Sequence, residues 1–306
     1  MKAATVPGLI VRSQSGFFTV QTDQGEAVCH LRGRLKRAAV GDKNLAVVGD
    51  RVRVSLHSGN SGWIEEIEPR RCALLRTAPT PQGEIRQTLL ANPDQLALVF
   101  ACSQPAPRMR MLDRFLIICE KQGISPLIVA NKIDLVDQEH ARQLFDRYAA
   151  LGYDVLYTSA VRGDHVDQLR QRLAGKISGL TGPSGAGKTS LLNLVRPGLG
   201  LEVGGISHAT RRGKHTTVVR QLFPLPEGGY VADLPGLRSL ALWDIQPHEL
   251  DGYFPEMRGL VAACQFNNCT HRGEPGCAVR AAVDGNKIHP ARYESYLRLR
   301  AGETDD

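Results

Sequence analysis

Between Gly8 and about Arg70, apolar and polar positions mix in short runs at Leu9–Ser13, Phe17–Thr22, Ala27–Leu31, Val47–Leu56 and Trp63–Ile67. Gly16 and Asp23-Gln24-Gly25 punctuate the first three runs as turns. Strands at this spacing, without a helical period, predict a small β-barrel. Arg32, Arg34, Lys36 and Arg37 follow the third run and are expected to form a basic loop, the candidate contact with RNA.

The period changes after residue 94. Gln95–Ala101 (QLALVFA) is a continuous apolar run, as expected for a strand buried on both faces. Met111–Gln122 predicts a helix with Leu112, Phe115, Leu116 and Cys119 on one face. Strands are then predicted at Pro126–Ala130, Val155–Tyr157 and Lys176–Leu180, separated by helices at about Gln138–Ala150 and Val166–Leu173. Such alternation predicts a parallel α/β sheet whose strands end in polar or Gly-rich loops, where ligands bind in this architecture.

Composition changes this picture little. The chain has 306 residues with 42% apolar and 23% charged positions, as in an ordinary globular protein with room for two or three domains. No apolar run approaches the ~20 residues that span a bilayer. Met1–Leu9 lacks a signal-peptide core, so a cytoplasmic location and no membrane partner are expected. The net charge of +7 is unevenly spread: residues 1–71 carry 11 Lys/Arg against 7 Asp/Glu, whereas residues 246–306 carry 7 against 9. Residues 72–245 carry 20 against 15, and the basic excess before residue 246 suits a polyanionic partner such as RNA. Seven cysteines, an odd number, argue against a disulfide framework. Cys29, Cys72, Cys102 and Cys119 read as small buried hydrophobes.

The chemistry lies at strand ends. Gly182-Pro183-Ser184-Gly185-Ala186-Gly187-Lys188-Thr189 fits G-x-x-x-x-G-K-[ST], followed by Ser190 in a helix predicted over Lys188–Leu194. Only glycine permits the close backbone approach by which N–H groups surround phosphates. Lys188 is expected to reach the β- and γ-phosphates and the Thr189 hydroxyl to ligate Mg²⁺, with the helix offering its positive end. Asn131-Lys132-Ile133-Asp134 follows an apolar strand. The Asp134 carboxylate can accept from guanine's N1–H and exocyclic amine, a donor pair that adenine lacks. Asn131 can bridge base and phosphate loop, and the Lys132 stem can lie over the ring. After the next strand, Thr158-Ser159-Ala160 offers the Ala160 amide to guanine O6, with Ser159 beside it. Asp233-Leu234-Pro235-Gly236, after the strand Tyr230–Ala232, fits D-x-x-G. Asp233 is expected to hold Mg²⁺ through water and the Gly236 amide to sense the γ-phosphate. Between these motifs lies Arg211-Arg212-Gly213-Lys214-His215-Thr216-Thr217, where Thr216 or Thr217 can complete the Mg²⁺ shell. Together these elements predict a GTP/GDP site.

Cys264-x₄-Cys269-x-His271-x₅-Cys277 supplies three thiolates and one imidazole, the closed tetrahedral set of one structural Zn²⁺. Four protein ligands leave no open position, so zinc is not expected to catalyse. A helix from about Pro290 to Arg300, carrying Tyr293 and Tyr296, is expected to pack back on this knot.

The base-reading motifs precede the phosphate loop, an order that is circularly permuted relative to common P-loop GTPases. This order, the RGKHTT and DLPG segments, the Cys/His tail, Asn92-Pro93-Asp94-Gln95 and Leu112-Asp113-Arg114-Phe115 together resemble the RsgA/YjeQ/YloQ family of ribosome small-subunit-dependent GTPases. The resemblance covers essentially the whole chain. It implies a multidomain fold: an N-terminal OB-type RNA-binding barrel (residues 1–70), a central circularly permuted α/β P-loop GTPase (71–245) and a C-terminal zinc-binding helical domain (246–306). It also implies a late role in small-subunit maturation, with the small ribosomal subunit and its rRNA as partners; the chain itself is expected to be a monomer.

Common P-loop GTPases orient the attacking water with a glutamine just after D-x-x-G, where this chain has Leu237. Slow intrinsic hydrolysis, stimulated by the subunit, is therefore expected. His215 is the candidate for positioning water, the alternative being a histidine that contacts RNA or is merely exposed. Two other readings of the whole chain are an RNA-binding assembly scaffold with a structural nucleotide site, and a GTPase acting on tRNA or metal delivery.

Overall fold

The computed structural model describes residues 4–38, 45–57, 60–80, 83–200, 221–234 and 245–303. Five strands close the N-terminal barrel: β1 (Val6–Gln14), β2 (Phe17–Thr22), β3 (Gly25–Leu31), β4 (Arg51–His57) and β5 (Ser61–Ile67), in the order β1-β2-β3-β5-β4. β1 pairs antiparallel with β4 to close the ring, and β3 runs parallel to β5. Inward-facing Ile10, Val20, Cys29, Val52, Val54 and Ile64 are fully buried and form its core. Closure leaves the barrel no open sheet edge.

Two local expectations are corrected here. The basic stretch is a short helix, α1 (Gly33–Ala38), rather than a loop. It lacks Gly and Pro after Gly33, and its Leu35 joins the barrel core. The strand expected from Val47 begins at Arg51. Val47 and Val48 are buried, but in a turn where the Asp50 carboxylate accepts from the Val47 amide (2.8 Å). Gly49 in that turn has φ 91°, and a Cβ there would lie 2.1 Å from the Ala91 carbonyl oxygen. The apolar run thus marks burial against a neighbouring strand, and the turn breaks the ladder.

A hairpin with no counterpart in the hydrophobic pattern follows, β6 (Ala73–Thr80) and β7 (Gly83–Ala91), with a register shift between Leu74 and Leu75. Next come β8 (Gln95–Ala101), α2 (Met109–Gln122), β9 (Ser125–Asn131), α3 (Gln138–Ala149), β10 (Asp154–Tyr157), α4 (Val166–Leu173), β11 (Ile177–Thr181), α5 (Lys188–Val195), β12 (Phe223–Pro224) and β13 (Tyr230–Asp233). Their sheet has the order β10-β9-β8-β11-β13-β12, with β9/β10 and β11/β13 parallel and β12 an antiparallel edge. Every residue of β8 and β11 is buried, as the apolar run of β8 requires.

The C-terminal segment holds α6 (Pro255–Arg258), α7 (Ala278–Asp284) and α8 (Pro290–Arg300). Phe254, Met257, Val279, Ile288 and Tyr296 form its core. By Cα proximity the chain divides into two compact units, one of residues 1–96, 167–181 and 192–238, the other of 97–166, 182–191 and 239–306. Gly182–Thr189, Asn131–Asp134, Thr158–Ala160 and the Cys/His cluster all lie in the second. Among the described residues no helix is long and apolar enough to cross a membrane.

Candidate nucleotide site and metal centre

The phosphate loop runs from the end of β11 into α5. Gly182 has φ 144°, and a Cβ there would sit 2.0 Å from the Val99 carbonyl oxygen, so only glycine lets the chain turn over the end of β8. The Lys188 ammonium lies 2.8 Å from the carbonyl oxygens of both Gly182 and Pro183, inside the curve of the loop. Thr189 and Ser190 follow in the first turn of α5.

Asn131, the last residue of β9, is completely buried and ties three segments together. Its Nδ2 donates to the Ala186 carbonyl at 2.8 Å. Its Oδ1 accepts from the Thr158 hydroxyl (3.1 Å) and the Ala160 amide (3.3 Å). Gly187, at φ 92°, makes this approach possible, since a Cβ there would come within 2.3 Å of Asn131 Nδ2. The Ala160 amide, expected at guanine O6, is thus directed at Asn131 through a long bond. Lys132 adopts a left-handed conformation, φ 63°, and its ammonium donates to the Gln104 carbonyl. Asp134 lies in the turn Ile133–Leu135, where its carboxylate accepts from the Ser159 hydroxyl at 2.6 Å. The structure therefore brings together Asn131, Asp134, Ser159, Ala160 and the loop Gly182–Lys188, which are far apart in sequence.

Asp233 ends β13, and the parallel register sets it opposite Leu180 of β11, with the Leu234 amide donating to the Leu180 carbonyl (3.0 Å). The remaining switch candidates, His215, Thr216, Thr217 and Gly236, lie outside the described residues, as does Leu237.

Cys264, Cys269, His271 and Cys277 converge so that one ligand atom from each lies within 4.8 Å of all the others. His271 is fully buried; its Nδ1 faces Cys277 Sγ at 3.4 Å and Cys264 Sγ at 3.7 Å. Its Nε2 lies 3.1 Å from the Asp251 carboxylate. With a proton on Nε2 donated to that carboxylate, Nδ1 would be left to ligate a metal, the usual way a carboxylate orients a ligating imidazole. Three soft thiolates and one imidazole fit a single structural zinc. The Tyr293 hydroxyl donates to the His271 carbonyl and the Tyr296 hydroxyl to that of Thr270 (3.2 Å), so α8 does pack on the knot. Asp251 was not foreseen; it precedes its partner by 20 residues, and no spacing rule links them.

On the barrel, Arg32 and Arg34 both pair with Glu65, at 2.8 and 3.4 Å. Arg32 also stacks over the Trp63 ring, 5.2 Å from its centroid. Phe17, His30 and Trp63 continue the row with ring centroids 4.5 and 5.7 Å apart, and Phe17 is half exposed. This aromatic row crosses β2, β3 and β5, so no single run of sequence displays it. Lys36 and Arg37 lie in α1. Of the cysteines expected in apolar surroundings, Cys72 is only half buried, its thiol 3.2 Å from the Pro93 carbonyl.

Comparison with known proteins gives concordant matches along the chain. A family model described as RsgA GTPase matches residues 67–243, and one described as RsgA N-terminal domain matches residues 7–64. A protein of Gemmatimonas aurantiaca named small ribosomal subunit biogenesis GTPase RsgA is 46% identical over 297 residues, covering 96% of each chain. Its namesake from Moorella thermoacetica is 41% identical over 294 residues, again covering 96% of each. The crystal structure of YjeQ from Thermotoga maritima superimposes with a TM-score of 0.80 at 34% identity, covering 98% of both chains. YloQ, described as a circularly permuted GTPase, gives 0.74 at 30% identity, covering 98% of this chain and 95% of its own.

Proposed function

This chain belongs to the RsgA family of GTPases, and on that premise we propose that it binds the small ribosomal subunit and hydrolyses GTP during late small-subunit maturation. Membership makes it a GTP hydrolase that uses GTP/GDP and Mg²⁺, and the Cys₃His cluster fits one structural zinc. Ribosome biogenesis is the role named for its relatives and carries over here, with the cytoplasm as its setting. The observation that carries the reading is the buried Asn131 side chain, which joins the phosphate loop to Thr158 and Ala160.

In this reading Asp134 selects guanine and the Lys132 stem covers the ring. The loop amides of Gly182–Lys188 and the Lys188 ammonium hold the phosphates in line for attack. Thr189, Asp233 and either Thr216 or Thr217 would hold Mg²⁺, whose charge offsets that developing on the phosphates. The Gly236 amide reports the γ-phosphate, and His215 positions water when the subunit is bound. Residues 1–70 serve as the RNA-binding domain, 71–245 as the GTPase and 246–306 as the zinc domain. Arg32, Arg34, Lys36 and Arg37 contact rRNA beside the aromatic row, whose π-faces suit unpaired bases. The protein acts as a monomer. GTP favours the subunit-bound state and hydrolysis favours release, which requires the two nucleotide states to differ in subunit affinity.

The deciding experiment is GTP turnover by the zinc-loaded protein with and without purified small subunits. Stimulation is expected, and Lys188→Ala should abolish it. Nucleotide binding without turnover even with subunits would instead favour the scaffold. Turnover indifferent to subunits would favour action on tRNA or metal delivery. Equal subunit affinity with GDP and a non-hydrolysable GTP analogue would refute the release step.

A further inference from the structure

A cavity of about 410 Å³ opens between the N-terminal end of α2, the last turn of α3 and the first half of α8. This size falls within the ~300–1,000 Å³ of ordinary ligand sites. Its lining is basic: Arg108, Arg110, Arg147 and Arg292 against two acids, Asp113 and Glu294. Both acids are already paired. Asp113 accepts from Arg292 (2.6 Å) and from the Tyr148 hydroxyl (2.8 Å), and Glu294 pairs with Arg298 at 2.9 Å. Arg292 is paired with Asp113 and Glu256, so the positive field in the cavity comes from Arg108 and Arg147.

Two further observations point the same way. α2 is 14 residues long, yet no side chain caps its start at Arg108 and its first turn holds no acidic residue, so its positive end is uncompensated. Ser295 is fully buried and lines the cavity, and its hydroxyl has no hydrogen-bond partner among the described residues. The Nε of Arg147, in the same wall, is also buried and unpartnered, although another nitrogen of that guanidinium donates to the Gln143 carbonyl. Buried polar atoms in folded proteins are nearly always paired, so two orphans in one basic cavity call for an acceptor.

We propose that this cavity is an anion site, separate from the phosphate loop, that takes a phosphoryl group. A phosphoryl group sets its acceptor oxygens tetrahedrally, two non-bridging ones on a phosphodiester and three on a monoester, so they can meet the Arg147 Nε, the Ser295 hydroxyl and the fork of Arg108 from different directions, whereas the two oxygens of a carboxylate lie in one plane. The source is either a phosphodiester of RNA or a free phosphorylated small molecule, and the chemistry of recognition is shared.

The test uses the full-length, zinc-loaded protein saturated with GDP and Mg²⁺, so that the phosphate loop is filled. Inorganic phosphate is titrated while the arginine Nε resonances are followed by NMR. A saturable shift at Arg147 is expected. The double variant Arg108→Gln/Arg147→Gln should weaken phosphate binding, read by calorimetry, by about tenfold or more, as expected for lost charge-assisted bonds. Ser295→Ala, which leaves every charge in place, should weaken it by a smaller factor with an unchanged melting temperature. No saturable shift in the wild type, or equal phosphate affinity in the double variant, would overturn the proposal. Displacement of phosphate by small subunits, with weaker subunit binding by the double variant, identifies RNA as the source. Phosphate binding that subunits leave untouched identifies a small molecule.

Discussion

The Asn131 side-chain amide donates to the Ala186 carbonyl across 55 positions of sequence, in a space that exists because residue 187 has no Cβ. The Asn131–Asp134 motif and the Gly182–Thr189 loop are therefore one hydrogen-bonded object. Gly187→Ala should push Asn131 away and break that bond while leaving the fold intact. A lost buried hydrogen bond costs ~1–3 kcal/mol, so GDP affinity should fall about tenfold to a hundredfold. Fluorescent-GDP titration checks this, and unchanged affinity would separate the two motifs.

The metal centre predicts a second effect. Asp251→Ala removes the acceptor that orients His271, without touching any of the four ligands. Zinc affinity should drop about tenfold to a hundredfold, as for other carboxylates behind a ligating histidine. Competition with a chromophoric chelator measures it directly. Removal of zinc by excess chelator should melt the C-terminal core around Phe254, Met257 and Tyr296.

Arg292 is fully buried, bridges Asp113 of α2 and Glu256 of α6, and lies over the Phe254 ring at 4.5 Å. Arg292→Met fills a similar volume but leaves two buried carboxylates without their cation. Breaking such a network from one side costs ~3–5 kcal/mol. Urea unfolding of the zinc-loaded protein should show a loss of that order. A near-neutral result would mean that water reaches the carboxylates.

The barrel should carry a pH signature at Glu65. Burial alone would raise this carboxyl, but hydrogen bonds from Ser55 and Arg32 and the charges of Arg32 and Arg34 outweigh it and lower it below its ordinary 4.5. The folded protein then binds fewer protons than the unfolded chain near that value. The stabilisation is present above the ordinary value and is lost as pH falls through the lowered one. Glu65→Gln should therefore reduce the barrel's melting temperature at neutral pH, and the gap to the wild type should close on acidification. A gap that stays constant with pH would remove Glu65 from this role.

Short-range pattern carried much of the fold. The strands of the barrel and the alternating sheet followed from local periodicity, and the helices Val166–Leu173 and Pro290–Arg300 have the predicted bounds. Two failures have one cause. Val47 and Val48 are apolar because a neighbouring strand covers them, and the β6–β7 hairpin contains prolines and a register shift that blur its alternation. Periodicity reports that a residue is buried; which partner buries it, and in what backbone shape, depends on residues elsewhere.

The same division holds for function. From the linear order of Asn131–Asp134, Thr158–Ala160, Gly182–Thr189 and Asp233–Gly236 the permuted GTPase was legible, and from the Cys/His spacing the metal knot, because each motif needs its atoms close along the chain. Tertiary structure alone decided that the Ala160 amide turns to Asn131, that Asp251 orients His271, that Glu65 takes Arg32 and Arg34 into ion pairs, and that Ser295 and Arg147 share a basic cavity. Those partners lie 20 or more residues apart. A hydrogen bond or an ion pair is set by where folding delivers its two ends, which no local pattern records.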